Sequence, residues 1–269
     1  MMRATSAQFP NKRFGSKPVF FDLTTEERLD INWQADLELA EAICAGGRQR
    51  ETMMFRALMP HLSSCVFSDL TKEMGLRCTL PAELKPVAGR RLLGRAKTLK
   101  LGALPPGATR QSGEWKGIYD ALQSYAFIRS GDIIVVSTEV KDRAYFGELN
   151  AHLAMRAGAV GVLVDGFTRD VEAVRPLDLP VFARGIWAND IKYEGTTTAM
   201  NTAIEIDGIP VRNNDVVFGD ADAVVVIPQE RWDEVLRQSL DAIVNESQVR
   251  LNAALGRPVN ELLEKFGYF

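Results

Sequence analysis

Three charged residues in this chain have types and spacing suited to chemistry: Glu148 and, after twenty intervening residues, the pair Arg169-Asp170. A guanidinium grips a carboxylate through two parallel N–H bonds, and a carboxylate such as Asp170 holds a hard cation through oxygen. Glu148 follows Gly147 at the expected start of a helix. There the backbone N–H groups of Leu149 and Asn150 have no partner within the helix and suit an anion. An anion, a guanidinium and a cation site within so short a stretch point to chemistry on a small organic acid.

The intervening residues are the elements that must bring these groups together. Residues 148–157 read as a helix and 159–164 as a buried strand, so Arg169-Asp170 falls just past the carboxyl end of a strand, where open α/β sheets bind ligands. Upstream, 131–137 contains Ile133-Ile134-Val135-Val136, apolar without alternation, as in a strand covered on both faces. The unit 132–165 is then a parallel crossover. A short helix at 171–174 leads to a strand at 180–184. Residues 202–206 and 209–211 form a hairpin about Asp207-Gly208, and 215–220 and 223–227 are two further strands. From Gln229 an amphipathic helix carries Trp232, Val235, Leu236, Leu240 and Ile243 on one stripe.

Before the site, helical spacing starts at Asn32 and is expected to stop at Gly46-Gly47. Further helices are expected at 48–58 and at 63–74, the latter closed by Gly75. A strand at 91–101 and a helix at 115–126 follow. The first thirty residues read as an extended arm, and the chain closes on an aromatic tail, 266–269. The expected division is an arm and helix over 1–49, a central domain over 50–250 and a C-terminal tail over 251–269.

Composition excludes several classes of function. The 269 residues are 46% hydrophobic and 25% charged with a net charge of −3, which suits a globular core and gives no basic surface for nucleic acid. Three cysteines, Cys44, Cys65 and Cys78, form no CxxC pair, so neither a disulfide framework nor a cysteine zinc site is expected, and a cytoplasmic setting fits. There is no secretory leader pattern and no apolar run long enough for a membrane span. Two histidines, His61 and His152, rule out a histidine-rich metal centre.

Each candidate also has a plain structural explanation. Glu148 is a favourable charge in a first helical turn, and Arg169-Asp170 is a surface ion pair of under about 1 kcal/mol. His152, one turn after Glu148, borders the site or is an ordinary helix residue. Asp165 caps a turn, Glu172 is solvated helix surface, and Asp69 and Asp120 are further acidic candidates.

The ordered segments Gly131–Val135, Phe146-Gly147-Glu148-Leu149, Gly161–Gly166, Arg169-Asp170, Pro180–Gly185 and Asp215–Pro228 together resemble the RraA-like family. That family includes regulators of ribonuclease E and class II aldolases for 4-hydroxy-4-methyl-2-oxoglutarate and 4-carboxy-4-hydroxy-2-oxoadipate. The resemblance implies an α/β fold, the swivelling β/β/α sandwich, with a helical N-terminal extension and a C-terminal helix. It also implies a homotrimer or hexamer with sites between subunits. In this reading Arg169 and the N–H groups of Leu149 and Asn150, beside Gly147, bind a pyruvyl carboxylate, and Asp170 holds Mg²⁺ (or Mn²⁺). Glu148 handles a proton, with Glu246 of a neighbouring subunit completing the network. The activity implied is cleavage of a 4-hydroxy-2-oxo acid to pyruvate, with oxaloacetate decarboxylation through the same pyruvate enolate; the alternative is a non-catalytic regulator that binds a ribonuclease or another protein. Glu148 stands where the aldolases often carry aspartate, Asn150 where a second leucine is common, and residues 1–49 have no counterpart in the family core.

Overall fold

The computed structural model describes residues 23, 29–105, 107–108, 111 and 113–267. The expected N-terminal arm lies almost wholly outside them, as do Tyr268 and Phe269 of the aromatic tail. The chain divides into two units at Gly47/Arg48, and everything that positions the site belongs to the second.

The first helix, α1, runs without a stop from Gln34 to Leu58, so Gly46-Gly47 does not end it as the sequence suggests. A glycine costs a helix about 1 kcal/mol relative to alanine but leaves its hydrogen bonds possible. Helix α2 (Ser64–Glu73) ends at Met74 with Gly75 at a left-handed φ of 72°, as expected. Its first turn is held by Asp220, which accepts hydrogen bonds from Ser64 N and Oγ at 3.0 and 2.6 Å.

A nine-stranded mixed sheet forms the centre. Strand β1 (Lys85–Ala88) pairs antiparallel with β6 (Val181–Ile186). Next come β5 (Gly161–Thr168), β3 (Asp132–Thr138) and β2 (Leu92–Ala103), with β6, β5, β3 and β2 mutually parallel. Beyond β2 lie β10 (Val216–Gly219), antiparallel to β2, and β11 (Val224–Ile227), antiparallel to β10. The long β2 shares one edge between two partners: residues 92–95 pair with β10 and 99–103 with β7 (Gly195–Met200). A short strand, β4 (Ala144–Phe146), pairs parallel with the end of β5. Strands β8 (Ile204–Ile206) and β9 (Ile209–Val211) form the expected hairpin as a separate sheet.

The two faces of β3 and β5 enter different cores, which is why their sequences show no alternation. Ile134, Val136, Val162 and Val164 pack against Ala151 and Ala154 of helix α3 (Glu148–Ala157). Ile133, Val135 and Leu163 face the hairpin residues Ile204, Ile206, Ile209 and Val211. Each such side chain contributes about 1.5–3 kcal/mol by leaving water. A third core joins Phe55, Phe67, Phe218, Trp232 and Val235 beneath helices α2 and α5 (Trp232–Ala254). A 3-10 helix (Glu114–Phe127) stands where residues 115–126 suggest a helix, and two short helices, α4 (Val171–Val174) and α6 (Val259–Phe266), complete the fold. Strands β1, β4 and β7 have no counterpart in the sequence reading. Among the described residues no helix is long and apolar enough to cross a membrane.

Candidate functional site

Strand register explains how Gly147 meets Asp170. Phe146 at the end of β4 aligns with Thr168 at the end of β5. The match is locked by Thr168 Oγ1 and Arg169 N, which donate to the Phe146 carbonyl at 2.8 and 2.9 Å. The residue after each strand therefore stands beside the other: Gly147, which starts α3, lies against Arg169-Asp170. An added Cβ on Gly147 would sit 2.4 Å from Asp170 Oδ2, so no larger residue fits without moving that carboxylate.

The N-terminus of α3 then adopts the role its position suggests. The Glu148 N–H donates to Asp170 Oδ2 at 3.2 Å. The first helical bond runs from Ala151 N to the Gly147 carbonyl, so the N–H groups of Leu149 and Asn150 precede the helical ladder. The Asn150 side chain is committed elsewhere, donating to the Tyr145 carbonyl at 3.0 Å. Asp170 has φ 57°, a left-handed conformation an aspartate tolerates better than most residues.

A cavity of about 330 Å³ collects these groups: Gly147, Leu149, Asn150, Arg169 and Asp170 line it. Its wall continues with Ile118, Ala121 and Leu122 of the 3-10 helix and with Tyr145. Burial pushes the Tyr145 hydroxyl well above the usual phenol range, so it stays neutral. Arg169 is the hub, with Nη1 2.7 Å from Asp190 and Nε 3.6 Å from Asp170. Lys192 lies alongside, its ammonium 4.7, 5.0 and 5.9 Å from the ring centres of Trp115, Tyr193 and Tyr119. Hydrogen bonds to Tyr119 and then Tyr193 raise its pKa, so it carries its charge throughout the neutral range.

The remaining expected residues lie outside this lining. The Glu148 carboxylate is half-exposed, with His152 one turn away at 3.9 Å. Glu246 lies on α5 and pairs with Arg250 of the same helix at 3.1 Å. Asp165 does not cap a turn. It is buried within β5, where Arg184 at 2.6 Å and Lys141 at 3.2 Å neutralise it. Glu172, Asp69 and Asp120 are exposed.

Asp190 and Lys192 are the site residues that sequence reasoning missed. The available signal was the same rule that found Arg169: both follow the carboxyl end of β6, the strand next to β5.

A model of the family described as RraA-like, Aldolase/RraA, matches residues 64–226. The chain belongs to the RraA-like family. Protein DlpA of Legionella pneumophila is 26% identical over 230 residues, covering 81% of this chain and 36% of the relative. A protein of Halalkalibacterium halodurans, provisionally named a 4-hydroxy-4-methyl-2-oxoglutarate aldolase, is 36% identical over 110 residues, covering 40% of this chain and 52% of the relative. The chain thus spans between about a third and a half of the length of these two relatives. The crystal structure of Streptomyces coelicolor RraAS2, described as an unusual member of the RNase ES inhibitor RraA family, superposes with a TM-score of 0.62 at 22% identity. It covers 74% of this chain and 96% of that one. The fold expected from the sequence, an RraA-like α/β architecture with added helices at both ends, is the one observed.

Proposed function

We propose that this RraA-like protein is a divalent-metal-dependent carbon–carbon lyase that releases pyruvate from a 4-hydroxy-2-oxo acid, with oxaloacetate decarboxylation as a companion activity. One observation carries the reading: Arg169, Asp170 and the α3 N-terminus line a single cavity.

Arg169 binds the carboxylate of the 2-oxo acid, and the N–H groups of Leu149 and Asn150 take further oxygens of the same group. Binding there orients the bond to be cleaved relative to Asp170. The residues present fit a hard cation: the cavity wall offers the Asp170 carboxylate and neither thiol nor imidazole. Oδ2 of Asp170 is fixed by Glu148 N–H, and Oδ1 has no protein donor among the described residues. Mg²⁺ or Mn²⁺ held by Asp170 would supply Lewis-acid stabilisation of the negative charge that builds on the substrate's 2-oxygen. Glu148 keeps the proton-handling role given by the family pattern, from a carboxylate just outside the cavity wall. A trimer or hexamer would enclose that rim and bring Glu246 of a neighbouring subunit toward it.

The second reading, a regulator that binds a ribonuclease or another protein, draws on exposed apolar side chains at the same end of the sheet. Leu149, Ile186 and Trp187 suit a protein partner as well as a subunit contact.

Pyruvate release, coupled to lactate dehydrogenase, decides between them. The metal-loaded protein should release pyruvate from a 4-hydroxy-2-oxo acid or oxaloacetate, and a chelator should stop it. Arg169→Ala and Asp170→Ala should each lower kcat/KM by about 100-fold or more. No turnover across a panel of such acids, with capture of a ribonuclease that survives Asp170→Ala, would establish the regulatory reading instead.

A further inference from the structure

We infer that Asp190 is the positioning residue for the Arg169 guanidinium, and that it sets which of the arginine's N–H groups meet the ligand. The inference rests on the proposed carboxylate-binding role of Arg169 and adds a residue to it.

Asp190 is placed by backbone rather than by chance proximity. After β6 the chain turns back beside β4: Ala144 N donates to the Asn189 carbonyl at 2.8 Å, Ile191 N donates to the Ala144 carbonyl at 3.0 Å, and Asp190 bridges Ala144 in parallel. Strand β4 is thus held between β5 on one side and the Asp190 segment on the other. The Asp190 carboxylate is itself fixed, because Oδ1 accepts the Lys192 N–H at 2.6 Å. Oδ2 is left for Arg169 Nη1 at 2.7 Å. Asp170 approaches the opposite edge of the guanidinium, at Nε. Two carboxylates on rigid supports therefore bracket a side chain that otherwise has four rotatable bonds to order, and Nη2 is the nitrogen with the fewest protein claims.

Removing Asp190 should free the guanidinium to swing. Because Arg169 grips a carboxylate present in both ground and transition states, the loss should fall on KM. Asp190→Ala should raise KM for the 2-oxo acid about 10-fold with kcat within about 2-fold of wild type. Asp190→Asn keeps one oxygen, for the Lys192 N–H, but turns an amide NH₂ toward the guanidinium, so it should recover little of the loss. In an Arg169→Ala background the same Asp190→Ala change should add no further loss, since the two act as a unit.

A readout independent of turnover separates failure of this inference from failure of the lyase reading. Modification by phenylglyoxal, mapped to Arg169 by mass spectrometry of peptides, should run about 3-fold faster in Asp190→Ala than in wild type, as expected when a partly exposed ion pair is lost. An unchanged rate at Arg169, or an Asp190→Ala loss that is undiminished in the Arg169→Ala background, would overturn the positioning role. Accelerated modification in a protein that cleaves no 2-oxo acid would uphold the Asp190–Arg169 coupling and reject the lyase.

Discussion

At the scale of single residues, Asp170 is held in a conformation it would not choose. Its φ of 57° costs about 1–2 kcal/mol, and strain of this kind persists where the surroundings over-determine the residue. Here the constraints are the Glu148 N–H on Oδ2 and the end of β5. Gly147 is the complementary half of the arrangement. Its own backbone is extended, with φ −154°, so alanine would meet no backbone penalty there. The main clash is with the carboxylate, through a Cβ 2.4 Å from Asp170 Oδ2, with a tight contact 3.2 Å from Arg169 Cγ beside it. Gly147→Ala therefore tests this close approach, with Asp170 Oδ2 as the atom most displaced. We expect Mn²⁺ affinity, read by calorimetry, to fall roughly 10-fold while the thermal midpoint moves by only a few degrees. Wild-type affinity in that variant would show that the position of Asp170 is not critical.

At the scale of elements, the α3–β5 segment was readable because its signals are local. Gly147 marks a helix start, 148–157 has helical spacing, and Val162-Leu163-Val164 has a buried strand's composition. Strand β7 (Gly195–Met200) carries no apolar pattern, because its side chains are largely part-exposed, and its pairing with β2 shifts register at Lys100/Leu101. Strand β4 is too short to announce itself, yet it supplies the register that builds the site. For Asp190 the strand-end rule marks only the neighbourhood; its exact place depends on a bridge to Ala144 of β4, a contact that no local pattern records. The opposite end of the sheet shows a second tertiary effect. Asp132, at the start of β3, is fully buried. Its Oδ1 lacks a hydrogen bond and lies 3.1 Å from Arg48 Nη1. Burial raises its pKa above the ordinary 3.8, against the opposing pull of Arg129 N–H and Arg48. The folded protein therefore holds this proton more tightly than the unfolded chain does, and the stability tied to it is full below about pH 4 and lost as pH rises through the folded value. Urea unfolding from pH 4 to 8 should show the wild type losing stability relative to Asp132→Asn over the lower part of that range. Arg48→Ala, which strands the carboxylate, should cost about 3–5 kcal/mol at pH 7. A wild-type advantage that grows with pH would mean that the Arg48 pairing outweighs burial.

At the scale of the whole molecule, the cavity is bordered by apolar surface that one chain leaves in water. Leu149, 79% exposed, lines it, as do the exposed Leu122 and Tyr119. Exposed apolar side chains gathered at a site rim mark a contact surface, and closing that rim would exclude water and strengthen every charge interaction of Arg169 and Asp170. If the contact is with further copies of the chain, assembly and turnover are linked. Light scattering should then give three or six times the 29.8 kDa of one chain. Specific activity should fall on dilution in step with dissociation, since the binding energy of the assembly supports the active form. Leu149→Asp, which places a charge in the contact, should shift the protein toward single chains and reduce turnover at fixed enzyme concentration, with recovery as concentration is raised. A particle of one chain's mass that cleaves its substrate at full rate would uncouple the two, and would leave Leu149 and its neighbours as a surface for some other protein.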